Sequence, residues 1–249
     1  MKLFSSSFTY SKKSIYNIII TLFLVTQTLN SELEKINYVN LPEEIIPPKF
    51  GQLIDPRIEL RFIENILSDQ ECDYLIKLSE DILRPSGVVD KGYTYVSDDR
   101  TSYSASLNKF KYNPKIIKIM RKFMKLFGDK VERDQFEDLQ VVRYHPGQFF
   151  KNHFDWFNHE KIKSGTTNQR MYTIFIYLND IKEGGGETDF PNLNLKVQPK
   201  KGSGAFWINC LDEFNCLEYS LHAGLPPQNE IKYGLNVWIT FPPKVKTEF

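Results

Sequence analysis

From Leu139 onward the chain is built of short apolar runs, most of them closed by a glycine- or proline-rich turn, and this texture most limits what it can fold into. The runs are Leu139–Tyr144, Met171–Leu178, Gly204–Ile208, Leu217–Leu221 and Leu235–Phe241. All are of strand length, short of the ten or so residues an ordinary helix needs, and they carry the β-branched and aromatic residues that suit a pleated surface. Several such strands in succession predict a β-sandwich or jelly roll.

The segment upstream is written differently. Ser68 followed by Glu71 is a capping box, and Cys72, Leu75, Ile76 and Ile82 follow at helical spacing. Asn113-Pro114 places a capping side chain before a proline at the first helical position. Ile116, Ile117, Met120, Phe123 and Phe127 then form one apolar face, and Gly128 ends it. The basic residues Arg121, Lys122 and Lys125 read as the wet face of that helix. Between the two helices, Gly87–Leu107 is polar and tyrosine-rich, as expected of a loop with short strands. The fold class is therefore α+β: a β-sandwich or jelly roll, the latter a double-stranded β-helix, supported by N-terminal helices.

The first 56 residues look like appendages. Ile15–Leu29 is apolar but interrupted by Asn17, Thr21, Thr26, Gln27 and Thr28, which is short for a membrane span. Lys12 and Lys13 precede it, and Glu32 and Glu34 follow. That asymmetry predicts a signal anchor or signal peptide over residues 1–29, with the body translocated to the lumen of the endoplasmic reticulum or, after cleavage, secreted. Residues 30–56, with Pro42, Pro47, Pro48 and Pro56, read as a stalk. The folded domain is expected over 57–249, with its functional core at about 137–244. A net charge of +1 gives no electrostatic footprint for nucleic acid. The three cysteines lack zinc-site spacing. Cys210 and Cys216 are close enough for a small disulfide loop, and Cys72 falls on an apolar helix face as a buried thiol.

The chemistry concentrates around His153-Phe154-Asp155. Side chains two apart on extended backbone share a face, so this imidazole and carboxylate can grip one metal ion. His222, at the end of a later predicted strand, completes two histidines and one carboxylate. That set leaves open positions on the metal and is the facial triad of non-haem iron(II) oxygenases. His145 and His159 lack such a partner pattern and read as turn or surface residues. Lys232 lies between His222 and the apolar run Leu235–Phe241, where an inward-facing cation could hold the far carboxylate of 2-oxoglutarate.

Further pieces extend this pattern in order along the chain: Arg100-Thr101-Ser102, Tyr144-His145-Pro146-Gly147-Gln148, Gln169-Arg170, Thr173, Gly185-Gly186-Glu187-Thr188, Phe206-Trp207-x-Asn209, His222-Ala223-Gly224, and Asn236-x-Trp238. Together they make the stretch from Arg57 to Phe241 resemble the catalytic domain of short, single-domain prolyl 4-hydroxylases. The resemblance implies that His153, Asp155 and His222 bind Fe(2+), and that Lys232 and Tyr144 hold 2-oxoglutarate in a pocket lined by Thr173. It places Arg100, Arg170 and Trp238 near a peptide groove, and it implies L-ascorbate as a further cofactor. The implied reaction converts 2-oxoglutarate to succinate and CO2 while a proline C4 in a Pro-rich or collagen-like peptide is hydroxylated. A monomer is expected, because the long N-terminal peptide-binding region of the animal α-subunits is missing. Leu225-Pro226-Pro227 departs from the family, many of whose members carry Cys-Pro there. Three other readings use the same residues: oxygenation of another side chain such as lysine, a zinc hydrolase, and a non-catalytic peptide-binding module. Lys232 and the lack of a His-Glu-x-x-His motif speak against the hydrolase. A module that had lost activity would be expected to have lost a ligand or Lys232.

Overall fold

The computed structural model describes residues 50–90, 93–165 and 167–242, with Leu41 standing alone before them. The expected anchor or signal segment 1–29, and most of the expected stalk, lie outside the described residues. Among the described residues no helix is long and apolar enough to cross a membrane.

The chain first forms β1 (Gln52–Asp55) and β2 (Leu60–Ile63), then helix α1 (Asp69–Ser79). Short strands follow: β3 (Arg84–Pro85), β4 (Gly87–Asp90), β5 (Tyr93–Val96) and β6 (Tyr103–Ser106). Helix α2 (Pro114–Phe127) leads into β7 (Gln140–Tyr144), β8 (Phe150–His153), the short helix α3 (His159–Lys163) and β9 (Arg170–Tyr177). The remaining strands are β10 (Thr188–Phe190), β11 (Leu195–Val197), β12 (Gly204–Ile208), β13 (His222–Gly224) and β14 (Lys232–Thr240).

Eight strands form one sheet in the order β1-β2-β12-β9-β14-β7-β6-β3, and four form a second, β11-β10-β13-β8. Their pairings are antiparallel throughout. This is the jelly-roll double-stranded β-helix that the strand pattern calls for. Strand β9 is buried along nearly its whole length because it has cover on both sides. Tyr172 faces outward, stacking on Phe127 of α2 at 5.4 Å and meeting Phe206 at 5.5 Å. The alternate residues Thr173, Phe175 and Tyr177 point into the barrel. Strand β14 divides in the same way. Leu235, Val237 and Ile239 are fully buried, while Lys232, Asn236 and Trp238 line the interior chamber. Gly234 lies in that inward row, and a Cβ there would come within 2.2 Å of the Phe175 ring, so only glycine lets that ring cross the barrel.

Both helix caps form as the sequence predicts. Ser68 and Glu71 make a reciprocal capping box, and Asn113 accepts a hydrogen bond from the Lys115 amide. Two expectations are corrected. Leu217–Leu221 is not a strand: Glu218–Ser220 is a 3-10 turn, with the Ser220 amide and hydroxyl both bonded to the Leu217 carbonyl. That local bonding competes with a sheet ladder. The folded domain also begins before Arg57. The Phe50 ring sits 5.1 Å from Phe206 and 5.7 Å from Phe127, and β1 pairs with β2, so the last residues of the expected stalk belong to the sheet. Cys210 and Cys216 are joined in a disulfide, and Cys72 is a buried free thiol.

Candidate active site

His153 is the last residue of β8 and pairs directly with His222, the first of β13. Asp155 follows in the bend just beyond β8, so the expected spacing brings it back toward the strand end although it is not itself on the strand. The three ligating atoms lie within 4.8 Å of one another. Asp155 Oδ1 is 3.9 Å from His153 Nε2, and Asp155 Oδ2 is 3.8 Å from His222 Nε2.

Each imidazole is oriented through its other nitrogen. His153 Nδ1 is 2.8 Å from the Lys151 carbonyl and His222 Nδ1 is 2.9 Å from that of Ser220. A carbonyl only accepts, so both Nδ1 atoms carry the proton and both Nε2 lone pairs face the shared space. The His153 ring also stacks on Phe150 with centroids 3.4 Å apart. Burial, then the neighbouring His222, holds the His153 pKa well below the usual imidazole value. Burial opposes ionisation of Asp155, but His222, His153, Arg170 and Thr173 outweigh it and keep the carboxyl below its ordinary range. Neutral imidazoles and an ionised carboxylate are the protonation states a metal requires. The donor set therefore fits an iron(II) ion bound by His153, Asp155 and His222 with faces left open.

A relay of hydrogen bonds fixes Asp155. Trp207 Nε1 donates to Asn209 Oδ1 at 2.9 Å, Asn209 Nδ2 donates to Thr173 Oγ1 at 2.8 Å, and Thr173 Oγ1 donates to Asp155 Oδ2 at 2.7 Å. Thr173 thus holds the Asp155 carboxylate from within the barrel. Trp207 and Asn209 were visible as a motif, yet their role required knowing that alternate residues past the end of β12 turn toward β9. Thr173→Val removes the donor with little change in shape. It is expected to weaken iron binding or lower turnover by about 10- to 100-fold, read by metal titration and by succinate release.

Beyond the triad lies a narrow chamber lined by Tyr144, Phe175, Thr188, Lys232 and Asn236, among others. Lys232 pairs with Tyr144 across β14 and β7, and is only 1% exposed. Its Nζ sits over the rings of Phe175, Tyr144 and Tyr177 at 5.0, 5.2 and 5.7 Å. No hydrogen bond or ion pair reaches it among the described residues. Burial pushes its pKa down to about 7, with Glu187 opposing from a distance. Burial also raises the Tyr144 phenol.

The other face of the triad opens on a groove of about 1100 Å³ lined by Arg100, Glu137, Trp156, Arg170 and Trp238. Arg170 is gripped by both oxygens of Glu137, at 2.6 and 2.8 Å, donates to the Asp155 carbonyl at 3.2 Å, and lies 3.6 Å over the Trp238 ring. Arg100 is buried beside Phe150 and donates to the Gly87 carbonyl and to Gln140. Arg100 and Trp238 border both chamber and groove. His145 and His159 stand apart from the triad: the His145 ring meets Tyr103, and His159 Nε2 bonds the Phe214 carbonyl.

Residues 139–240 match the 2OG-Fe(II) oxygenase superfamily, so fold and metal site define an iron(II)- and 2-oxoglutarate-dependent oxidoreductase. Prolyl 4-hydroxylase 2 of Arabidopsis thaliana is 30% identical over 224 residues, covering 81% of this chain and 73% of that protein. Prolyl 4-hydroxylase 1 of the same plant is 33% identical over 201 residues, covering 74% and 69%. The viral collagen prolyl hydroxylase from Paramecium Bursaria Chlorella virus-1, solved as its 2OG complex, aligns with a TM-score of 0.56 at 33% identity, covering 72% of this chain and 94% of that one. This chain belongs to the prolyl 4-hydroxylase family.

Proposed function

We propose that the protein hydroxylates C4 of proline within an extended, Pro-rich or collagen-like peptide. The observation that carries this reading is the buried Lys232, which lacks an anionic partner in a chamber that ends at a two-histidine, one-carboxylate triad. A desolvated cation with no counter-ion is costly, and a dicarboxylate that fills the chamber supplies the missing charge. Lys232 then holds the C5 carboxylate of 2-oxoglutarate, and Tyr144 offers its hydroxyl beside it. His153, Asp155 and His222 would hold the iron. When bound, iron(II) supplies the redox chemistry that couples dioxygen and 2-oxoglutarate to the organic substrate. One oxygen atom goes to the proline C4–H bond and the other to succinate, with CO2 released. The chain's own contribution is to orient these groups, fix their protonation states and shield them from water.

Arg170, locked between Glu137 and Trp238, offers a flat, rigid wall to the peptide. A polyproline II strand loses little entropy on docking and suits aromatic grooves of this kind. L-Ascorbate would serve as the reductant that restores iron(II) after turnover without peptide. The protein is proposed to act as a monomer. The test is mass spectrometry of Pro-rich peptides after incubation with protein, iron(II), 2-oxoglutarate and ascorbate. A gain of about 16 Da on proline, one oxygen atom, with matching succinate is expected. Modification of lysine peptides and not proline peptides would give the reaction to the rival side chain.

We further propose that residues 14–29 tether the domain on the lumenal side of the endoplasmic reticulum. The support is the charge asymmetry around the stretch, together with the Cys210–Cys216 disulfide, a bond that persists in oxidising compartments. Full-length protein is expected to resist alkaline extraction and to be protected from protease in sealed microsomes. Soluble lumenal protein beginning near residue 30 would indicate cleavage, and protease-sensitive protein would exclude the topology.

A further inference from the structure

The stretch 101–128 contains seven lysines and arginines and no acidic residue, in a chain whose net charge is only +1. Of the seven, Lys122 is paired, with Glu71 at 2.5 Å. Lys118, Arg121 and Lys125 of α2 are exposed, as is Lys111 just before it, so this segment presents a basic face to solvent. Its apolar face is not wholly consumed by the core. Ile117 and Met124 are half-buried and, with Met120 and Leu139, line a pocket of about 200 Å³. Lys111, Arg121 and Arg133 rim that pocket against the single carboxylate of Asp138. Its volume is below that of a typical cofactor site and is on the scale of one large side chain.

The pocket also adjoins the groove that leads to the triad, sharing Asp138 with it. Phe136, Glu137 and Asp138 form part of the groove wall, and Asp138 and Leu139 line the pocket. A chain lying in the groove and crossing residue 138 therefore arrives at an apolar hole ringed by cations.

We propose that this pocket is an exosite for the substrate, receiving an apolar side chain flanked by acidic residues at a distance from the target proline. The proposal rests on the peptide-hydroxylase reading above. The chemistry of the site fixes the chemistry of its occupant: the apolar walls need an apolar side chain, and the cations around them select acidic neighbours. A bilayer is the less fitting partner, because membrane-lying helices offer protruding apolar side chains and this one offers a hollow. The charges are exposed, so the effect is strongest at low ionic strength.

The test uses the full chain and two probes. The first is a fluorescent acidic-apolar peptide without proline, read by anisotropy. The second is a pair of substrates with the same Pro-rich core, one extended by that segment. Wild-type protein is expected to bind the first probe and to show a KM about tenfold lower for the extended substrate, the advantage vanishing at high salt. Lys111→Glu with Arg121→Glu should abolish both effects while leaving kcat and KM for the core peptide, and the KM for 2-oxoglutarate, unchanged. Met124→Trp, which plugs the hollow without altering charge, should do the same. Equal KM values for core and extended peptides in wild-type protein overturn the exosite, as does binding of the probe that survives both variants. Binding of the wild type to phosphatidylserine vesicles, lost in the charge variant while the peptide probe fails to bind, reassigns the face to a membrane. If no proline peptide is turned over, the anisotropy arm still reads the exosite, so its failure is separable from that of the hydroxylase reading.

Discussion

His222→Ala is expected to reduce peptide-dependent succinate formation by on the order of a thousandfold or more and to strip the protein of iron, because it removes one of three ligands from a site whose remaining faces belong to substrates. His222 is 6% exposed, and its ring is oriented by the Ser220 carbonyl so that Nε2 faces the shared space. The two ligands left, His153 and Asp155, come from one short segment and grip the metal from one side only. Alanine at His145 or His159, whose contacts lie away from the triad, should leave activity near wild type. The measurements are metal content after gel filtration and turnover at saturating 2-oxoglutarate. Full activity with iron retained in His222→Ala would falsify the ligand assignment.

Lys232→Met is the second large effect, and it has two opposite signs. Co-substrate binding should collapse, with the KM for 2-oxoglutarate rising by about 100-fold or more while the KM for peptide changes little, because the buried counter-charge is lost. The ligand-free protein should nevertheless become more stable. Burial brings the lysine pKa down to about 7 in the folded chain, against 10.5 for an ordinary lysine. Between these values the unfolded chain holds more protons than the folded one, so wild-type stability rises with pH across that window and is lowest below about pH 7. The difference corresponds to about 5 kcal/mol at most, of which methionine recovers a part. Thermal melts should therefore show a higher Tm for the variant without ligand, and no further rise on adding 2-oxoglutarate. The wild type gains on that addition, since binding the dicarboxylate raises the lysine pKa. For the same reason its affinity for 2-oxoglutarate is greatest below about pH 7 and declines above it, by at most about tenfold per pH unit. A 2-oxoglutarate KM unchanged in Lys232→Met would remove Lys232 from the co-substrate site.

What could be read from the sequence, and what could not, follows from how local each signal is. The capping box at Ser68 and the Asn113-Pro114 start lie within one helical turn, and both helices begin where those residues say. Met171–Leu178 and Gly204–Ile208 have enough β-branched and aromatic residues to declare strands alone. Leu217–Leu221 alternates apolar and polar residues as a half-buried strand would, but Ser220 can satisfy the Leu217 carbonyl locally, and that bond was invisible in a hydropathy pattern. The triad was legible because His153 and Asp155 are two residues apart. Thr173 was visible but its bond to Asp155 was not, since its direction depends on Asn209, just past the end of a strand paired to it far along the chain. The apolar hollow beside Arg121 gave no sign at all: a helix face looks complete in sequence even when its neighbours leave part of it uncovered.

Strand β14 makes the protein a ruler. Lys232 and Trp238 occupy one row of the same strand, at the far end of the chamber and at the groove, and are separated by about 20 Å of extended backbone. The span between the carboxylate anchor and the polypeptide being modified is thus set by residue count, with no hinge between them. Loops elsewhere can lengthen or shorten at modest cost, but one residue inserted between Lys232 and Trp238 would exchange inward and outward rows and drive Leu235 or Val237 into the chamber. Such an insertion should on this account abolish 2-oxoglutarate-dependent turnover through displaced rows rather than through any loss of charge.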